Sequence, residues 1–142
     1  GMEVVRRDWT ELAKQVQREL YLRLFSEQPV VGYLHDIVDA VRRGACNDLL
    51  VYRKGLRKDM REYTTSTPPH VAAARKSKSK PGNIIAYVMT QAGPEPVDGI
   101  SAPYDLEHYI EKQVRPVAEP VLAALGLDFA QVVGDDRQLG LF

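Results

Sequence analysis

The chain has 142 residues, 44% of them hydrophobic and 27% charged, with 19 basic and 19 acidic side chains and a formal net charge of zero. This is one domain's length with enough apolar residues for a core, and no apolar run nears the ~20 residues of a membrane span. The single cysteine, Cys46, excludes an internal disulfide and fits a reducing, cytoplasmic setting; His35, His70 and His108 are scattered without metal-ligand spacing, so no zinc site is argued.

Residues 9–25 read as an amphipathic helix. Trp9, Leu12, Val16, Leu20 and Leu24 recur every three or four positions, Lys14, Gln17 and Arg18 lie on other faces, and Asp8 or Thr10 can cap the start. A second helix starts near Pro29, runs through Val30, Leu34, Ile37, Val38 and Val41, and stops at Gly44. Leu49 to Tyr52 is a short apolar run, either a strand or an extended lead into the basic segment. Asp59 to Tyr63 reads as one helical turn, and Pro68-Pro69 cannot lie inside a helix. A short helix with proline in its first turn follows over Pro69 to Lys76, then a polar basic loop to Gly82. Ile84, Ile85, Tyr87 and Val88 are the clearest strand. Gln91 to Pro103, dense in proline and glycine, reads as a connector. From Asp105 the chain is helical again through Tyr109, Ile110, Val114 and Val117, with Pro116 and Pro120 expected to kink or divide it. A last helix spans Leu127 to Val133 and ends at Gly134. The fold class is mainly α with a small β component (α+β): a helical domain with a short strand pair and a flexible C-terminal tail.

The neutral average conceals a segregated charge. Residues 42–81 hold eleven cations against three anions, a net charge of +8, whereas residues 1–41 carry −2 and residues 93–142 carry −6. A basic stripe between acidic flanks is the footprint of phosphate binding, and equally that of a solvated basic face. Within it Arg53-Lys54 and Arg57-Lys58 form two couples that can reach successive phosphates, Arg as a fork and Lys as a point charge. Tyr63, His70, Arg75 and Lys76 complete the candidate DNA-binding set; for His70 a role in organising its own turn stands beside a role in contact. Ala72, Ala73 and Ala74 read as packing residues. Catalysis has no comparable signature. Asp135-Asp136 is the only adjacent acidic pair, without a third carboxylate nearby, and there is no phosphate-binding glycine loop, Cys/His pair or nucleophile elbow.

The stripe, LVYRKGLRKDMREYTTSTPPHVAAARKSKSK, resembles the thumb motif of the family B DNA polymerases. Lys54, Leu56, Tyr63, Pro69, His70, Val71, Ala74 and Arg75 stand at the matching positions. The start, from Gly1 to Trp9, resembles the segment that leaves the palm in that family, where a Lys precedes the Gly. The stretches GPEPVD, YDLEHYIEKQVRPVAEPVL and QLGLF resemble the C-terminal end of its bacterial members. The loop Lys76 to Asn83 is shorter than theirs. The resemblance covers essentially the whole chain and implies a piece of a longer protein, although Gly1 could also be tag-derived before a native Met2.

The resemblance implies that residues 1–134 form a thumb domain, with 1–8 as the palm-to-thumb junction, and that 135–142 form a clamp-binding tail. Partners would be primer–template DNA, the bacterial sliding clamp, and the palm, fingers and exonuclease domains of the same polymerase, with no membrane. The full-length protein would be a DNA-directed DNA polymerase of the cytoplasm and nucleoid, using Mg²⁺ held in the palm; this chain alone would hold no cofactor and be inactive. Gln138, Leu139, Leu141 and Phe142 resemble the pentapeptide by which bacterial replication proteins bind the clamp: three apolar side chains fill a pocket and Gln138 bonds at its rim. The alternative for the tail is a terminus packed on its own domain. For the whole chain the rivals are an independent nucleic-acid- or clamp-binding accessory module and a purely structural helical domain.

Overall fold

A computed structural model describes residues 9–55, 68–77 and 84–134. Helix α1 covers Glu11–Phe25 and is capped by Thr10, whose hydroxyl accepts from the Ala13 N–H at 3.3 Å. Its stripe of Leu12, Val16 and Leu20 is buried, with Trp9 and Leu24 partly buried against the core. The stripe is wider than expected: Gln17, one position beyond Val16 and four beyond Ala13, is also buried. Helix α2, Val31–Arg42, buries Leu34, Val38 and Val41. Gly44 follows with φ of +78°, the left-handed C′ position that ends a helix.

The apolar run after α2 divides. A 3₁₀ turn takes Asn47–Leu49, and only Tyr52 enters a strand, β1, Tyr52–Gly55. Helix α3 spans Pro69–Lys76 with proline in its first turn and buries Val71, Ala73 and Ala74. Strand β2, Ile84–Thr90, pairs antiparallel with β1 and with a third strand, β3, Gly93–Pro96, in the order β1-β2-β3. β3 lies in the stretch expected to be a connector, so the expected strand pair is a three-stranded sheet. Its prolines are tolerated for a geometric reason. The Val97 N–H donates to the Ala86 carbonyl at 3.1 Å, which makes Ala86 and Val97 a hydrogen-bonded pair. Alternation then puts Pro96 opposite Tyr87 and Pro94 opposite Met89 at non-bonded sites, where a strand nitrogen points away from β2.

Helix α4, Leu106–Tyr109, is capped by the Asp105 carboxylate and runs through a π turn, Ile110–Val114, into α5, Arg115–Ala124. The two prolines do not divide this helix. In the π turn the Arg115 N–H reaches back five residues to the Ile110 carbonyl, immediately before Pro116, whose ring would otherwise crowd the preceding turn. The same turn directs Gln113 inward, where its side-chain oxygen accepts from both the Thr10 N–H (2.9 Å) and the Thr10 hydroxyl (2.8 Å), joining the starts of α1 and of the long helix in the interior. Helix α6, Phe129–Val133, is capped by Asp128, ends at Gly134 with φ of +75°, and is joined to α2 by a hydrogen bond between His35 and the Val132 carbonyl. The main core lies among α1, α2, α5, α6 and the Tyr52–Ile85–Tyr87 face of the sheet.

Candidate nucleic-acid interface

Strand β1 alternates once and then opens to solvent: Tyr52 is buried, whereas Arg53, Lys54 and Gly55 are exposed. The register sets Tyr52 against Tyr87, Arg53 against Ala86 and Lys54 against Ile85, so both cations stand on a sheet edge. The small buried face of Ala73 and Ala74 lets α3 pack closely, against β2 and β3. That packing leaves Arg75 and Lys76 exposed at its C-terminal end. His70, at the other end, is buried: burial first, and then the charge of Lys54, hold its pKa below the ordinary imidazole value. Lys76 points elsewhere, donating to the carbonyls of Pro94 (2.9 Å) and Ala92 (3.4 Å) at the β2–β3 turn, beside a Ser77 hydroxyl that donates to the Asp98 carboxylate. Arg57, Lys58 and Tyr63, and the whole of Gln138, Leu139, Leu141 and Phe142, lie outside the described residues.

Behind β1 stands an aromatic group that the sequence pattern does not single out. The Tyr52 ring stacks on Tyr87 (centroids 5.2 Å apart, planes at 18°) and on Tyr109 (5.5 Å, 23°). Its hydroxyl lies 2.8 Å from His108 Nε2. Burial lowers the pKa of His108, which favours the neutral ring, and the Tyr52 hydroxyl and Nε2 share this hydrogen bond in the direction that the ring's tautomer sets. The fully buried Tyr109 hydroxyl accepts the Met89 N–H at 2.8 Å, and burial pushes its pKa well above the usual phenol value. The available signal was a tyrosine at a position opposite another in two paired strands, together with adjacent His108 and Tyr109 in the first turn of a helix.

At the far end of the sheet the buried Glu95 carboxylate is held by neutral donors. It accepts from the Thr90 hydroxyl (2.9 Å), the Ser101 N–H (3.0 Å) and hydroxyl (2.5 Å), and the Ala102 N–H (3.1 Å). The Ser101 bonds, chiefly, hold its pKa down at about 2. Glu95 therefore organises the loop after β3. Among the described residues no three His, Cys, Asp or Glu side chains converge as a metal site, and no described helix is long and apolar enough to cross a membrane.

No family model matches the chain. Among solved structures, that of the family B DNA polymerase from the hyperthermophilic archaeon Pyrobaculum calidifontis superimposes with a TM-score of 0.70 over 85% of this chain and 18% of its own, at 29% identity. DNA polymerase II of Escherichia coli (strain K12) is 43% identical over 153 aligned positions that take in 100% of this chain. The chain is similar over its whole length to a region of the family B DNA polymerases. A DNA polymerase of Desulfurococcus sp. (strain Tok) is also similar, 34% identical over 89% of the chain. The chain spans about a fifth of the length of these relatives, 19% of the E. coli protein and 18% of the Desulfurococcus one. The expected resemblance and the mainly α fold with a small antiparallel sheet are both met.

Proposed function

We propose that this chain is the thumb of a family B DNA polymerase and holds primer–template duplex through phosphate contacts that do not read sequence. The observation that carries the reading is the exposed Arg53-Lys54 pair on the edge strand, in a chain that aligns over its whole length with a DNA polymerase. Arg75 adds an exposed cation near the end of α3, and Arg57 and Lys58 follow Lys54 in sequence after Gly55 and Leu56. Lys76 contributes less, because its ammonium already has two carbonyl partners. Such contacts neutralise phosphates and release counterions; they set position and affinity, while the bases go unread.

Nucleotidyl transfer would occur in the palm of the full protein, where acidic side chains would hold Mg²⁺; the described residues offer no cluster that fits that ion. The tail from Gln138 to Phe142 would tether the polymerase to the bacterial sliding clamp. Both halves of the reading are testable on the 142-residue chain. Titrating labelled duplexes of unrelated sequence should give the same weak affinity for each, and deleting Gln138 to Phe142 should abolish clamp binding while leaving duplex affinity unchanged. A marked preference for one sequence would overturn the phosphate-contact reading. Clamp binding that survives the deletion would overturn the tail assignment alone.

A further inference from the structure

We propose that Tyr52 and His108 form a latch that sets the direction in which Arg53 and Lys54 leave the sheet, making them positioning residues for phosphate contact. The inference rests on the DNA-binding reading above. Strand β1 is four residues long, stands at the sheet edge and pairs with β2 alone among the described strands. Its backbone ladder fixes register: Arg53 opposite Ala86 and Lys54 opposite Ile85. A ladder on one side does not fix tilt, because an edge strand can roll about its row of hydrogen bonds. Roll is resisted by side-chain packing, and Tyr52 is the single buried residue of the strand.

The rings that receive Tyr52 stack on it nearly in parallel. Stacked planes resist separation but permit sliding, so stacking alone leaves the strand free to shift along Tyr87 and Tyr109. The hydroxyl bond to His108 Nε2, at 2.8 Å, removes that freedom. His108 is itself immobilised: its backbone N–H donates to the Asp105 carboxylate at 3.2 Å, and its ring stands edge-on to Tyr109 at 87°. The path therefore runs from the capped start of α4, through His108 and Tyr52, to the next two residues in the chain, the two exposed cations. A change of angle at Tyr52 is carried outward along the full reach of both side chains. Successive phosphates would then be released one at a time rather than all held more weakly.

The test uses the whole chain and a non-specific duplex, with anisotropy titrations at several KCl concentrations and at a temperature where melting curves find every variant folded. Tyr52→Phe keeps the stack and removes the hydroxyl; His108→Phe keeps an edge-on ring and removes Nε2. Each should weaken duplex binding roughly three- to tenfold, the scale of one missing hydrogen bond, and flatten the salt dependence. The double variant should be no weaker than the weaker single one, and His108→Gln, whose amide can both donate and accept, should recover part of the loss. Wild-type affinity and slope in Tyr52→Phe, or additive losses in the double variant, would overturn the latch while Arg53→Ala/Lys54→Ala still weakens binding. If Arg53→Ala/Lys54→Ala itself changes neither affinity nor slope, the DNA-binding reading falls and the latch with it.

Discussion

The helical part of the molecule and its small sheet are built by different means. In α1, α2 and α5 the apolar side chains recur at helical spacing, and neighbours in sequence supply most of the backbone bonding. The sheet joins residues 52–55, 84–90 and 93–96, and its edges are an exposed basic strand on one side and a proline-bearing strand on the other. Charge is divided along the chain instead, with +8 in residues 42–81, which include β1 and α3, and −6 in residues 93–142, which include β3 and the C-terminal helices. The helices give a rigid body; the sheet edge displays the cations. The lesson is that the surface proposed to hold DNA is the part with least local stabilisation, and that it borrows rigidity from the helices through Tyr52, Tyr109 and His108.

The largest effect should come from the residue that joins the two parts. Tyr109→Ala removes a fully buried ring and the acceptor of the Met89 N–H, and denaturant titration should find a loss of about 3–5 kcal/mol. A loss near that of a surface substitution would mean that the sheet stands without the helices. Within the helical part, Gln113→Ala leaves the buried Thr10 N–H and hydroxyl without their acceptor; about 1–3 kcal/mol is expected from the same measurement.

Acid should act first on the sheet. The folded pKa of Glu95, about 2, lies below the ordinary glutamate value of ~4.3. Its stabilising contribution is thus complete above the unfolded value and is lost as pH falls from ~4.3 towards about 2. Glu95→Gln should remove that part of the acid transition followed by circular dichroism, and a transition of unchanged pH dependence would contradict the assignment. The smallest effect belongs to Pro94→Ala. Its nitrogen faces away from β2, so no ladder bond changes, and only the lower entropy of the proline-containing unfolded chain is lost, about 0.4–1 kcal/mol in thermal melts.

Much of this was legible in the chain of residues. The stripe of Leu12, Val16 and Leu20, the stop at Gly44, the proline-led α3 and the stop at Gly134 are local signals, and the structure meets them. Strand β3 was not legible because Gly-Pro-Glu-Pro carries every mark of a turn. What makes it a strand is a partner already in place and an edge position that spares its prolines. The π turn was equally hidden: a proline in a helical pattern announces a disturbance but not how the backbone absorbs it. The candidate site was half legible. Arg53, Lys54 and Arg75 were found by charge and are exposed, whereas the carbonyls that engage Lys76 come from residues 92 and 94, which no spacing rule connects to it.

The central claim, that the basic stripe is the duplex-binding surface, is tested most directly by the slope of log affinity against log salt. For B-form DNA that slope should flatten by roughly 0.9 for every phosphate the protein ceases to neutralise. Replacing Arg53, Lys54, Arg57 and Lys58 together with alanine should flatten it by several such steps, whereas replacing Lys14 and Arg18 of α1 should leave it unchanged. Equal changes from the two sets, or no change from the first, would contradict the account.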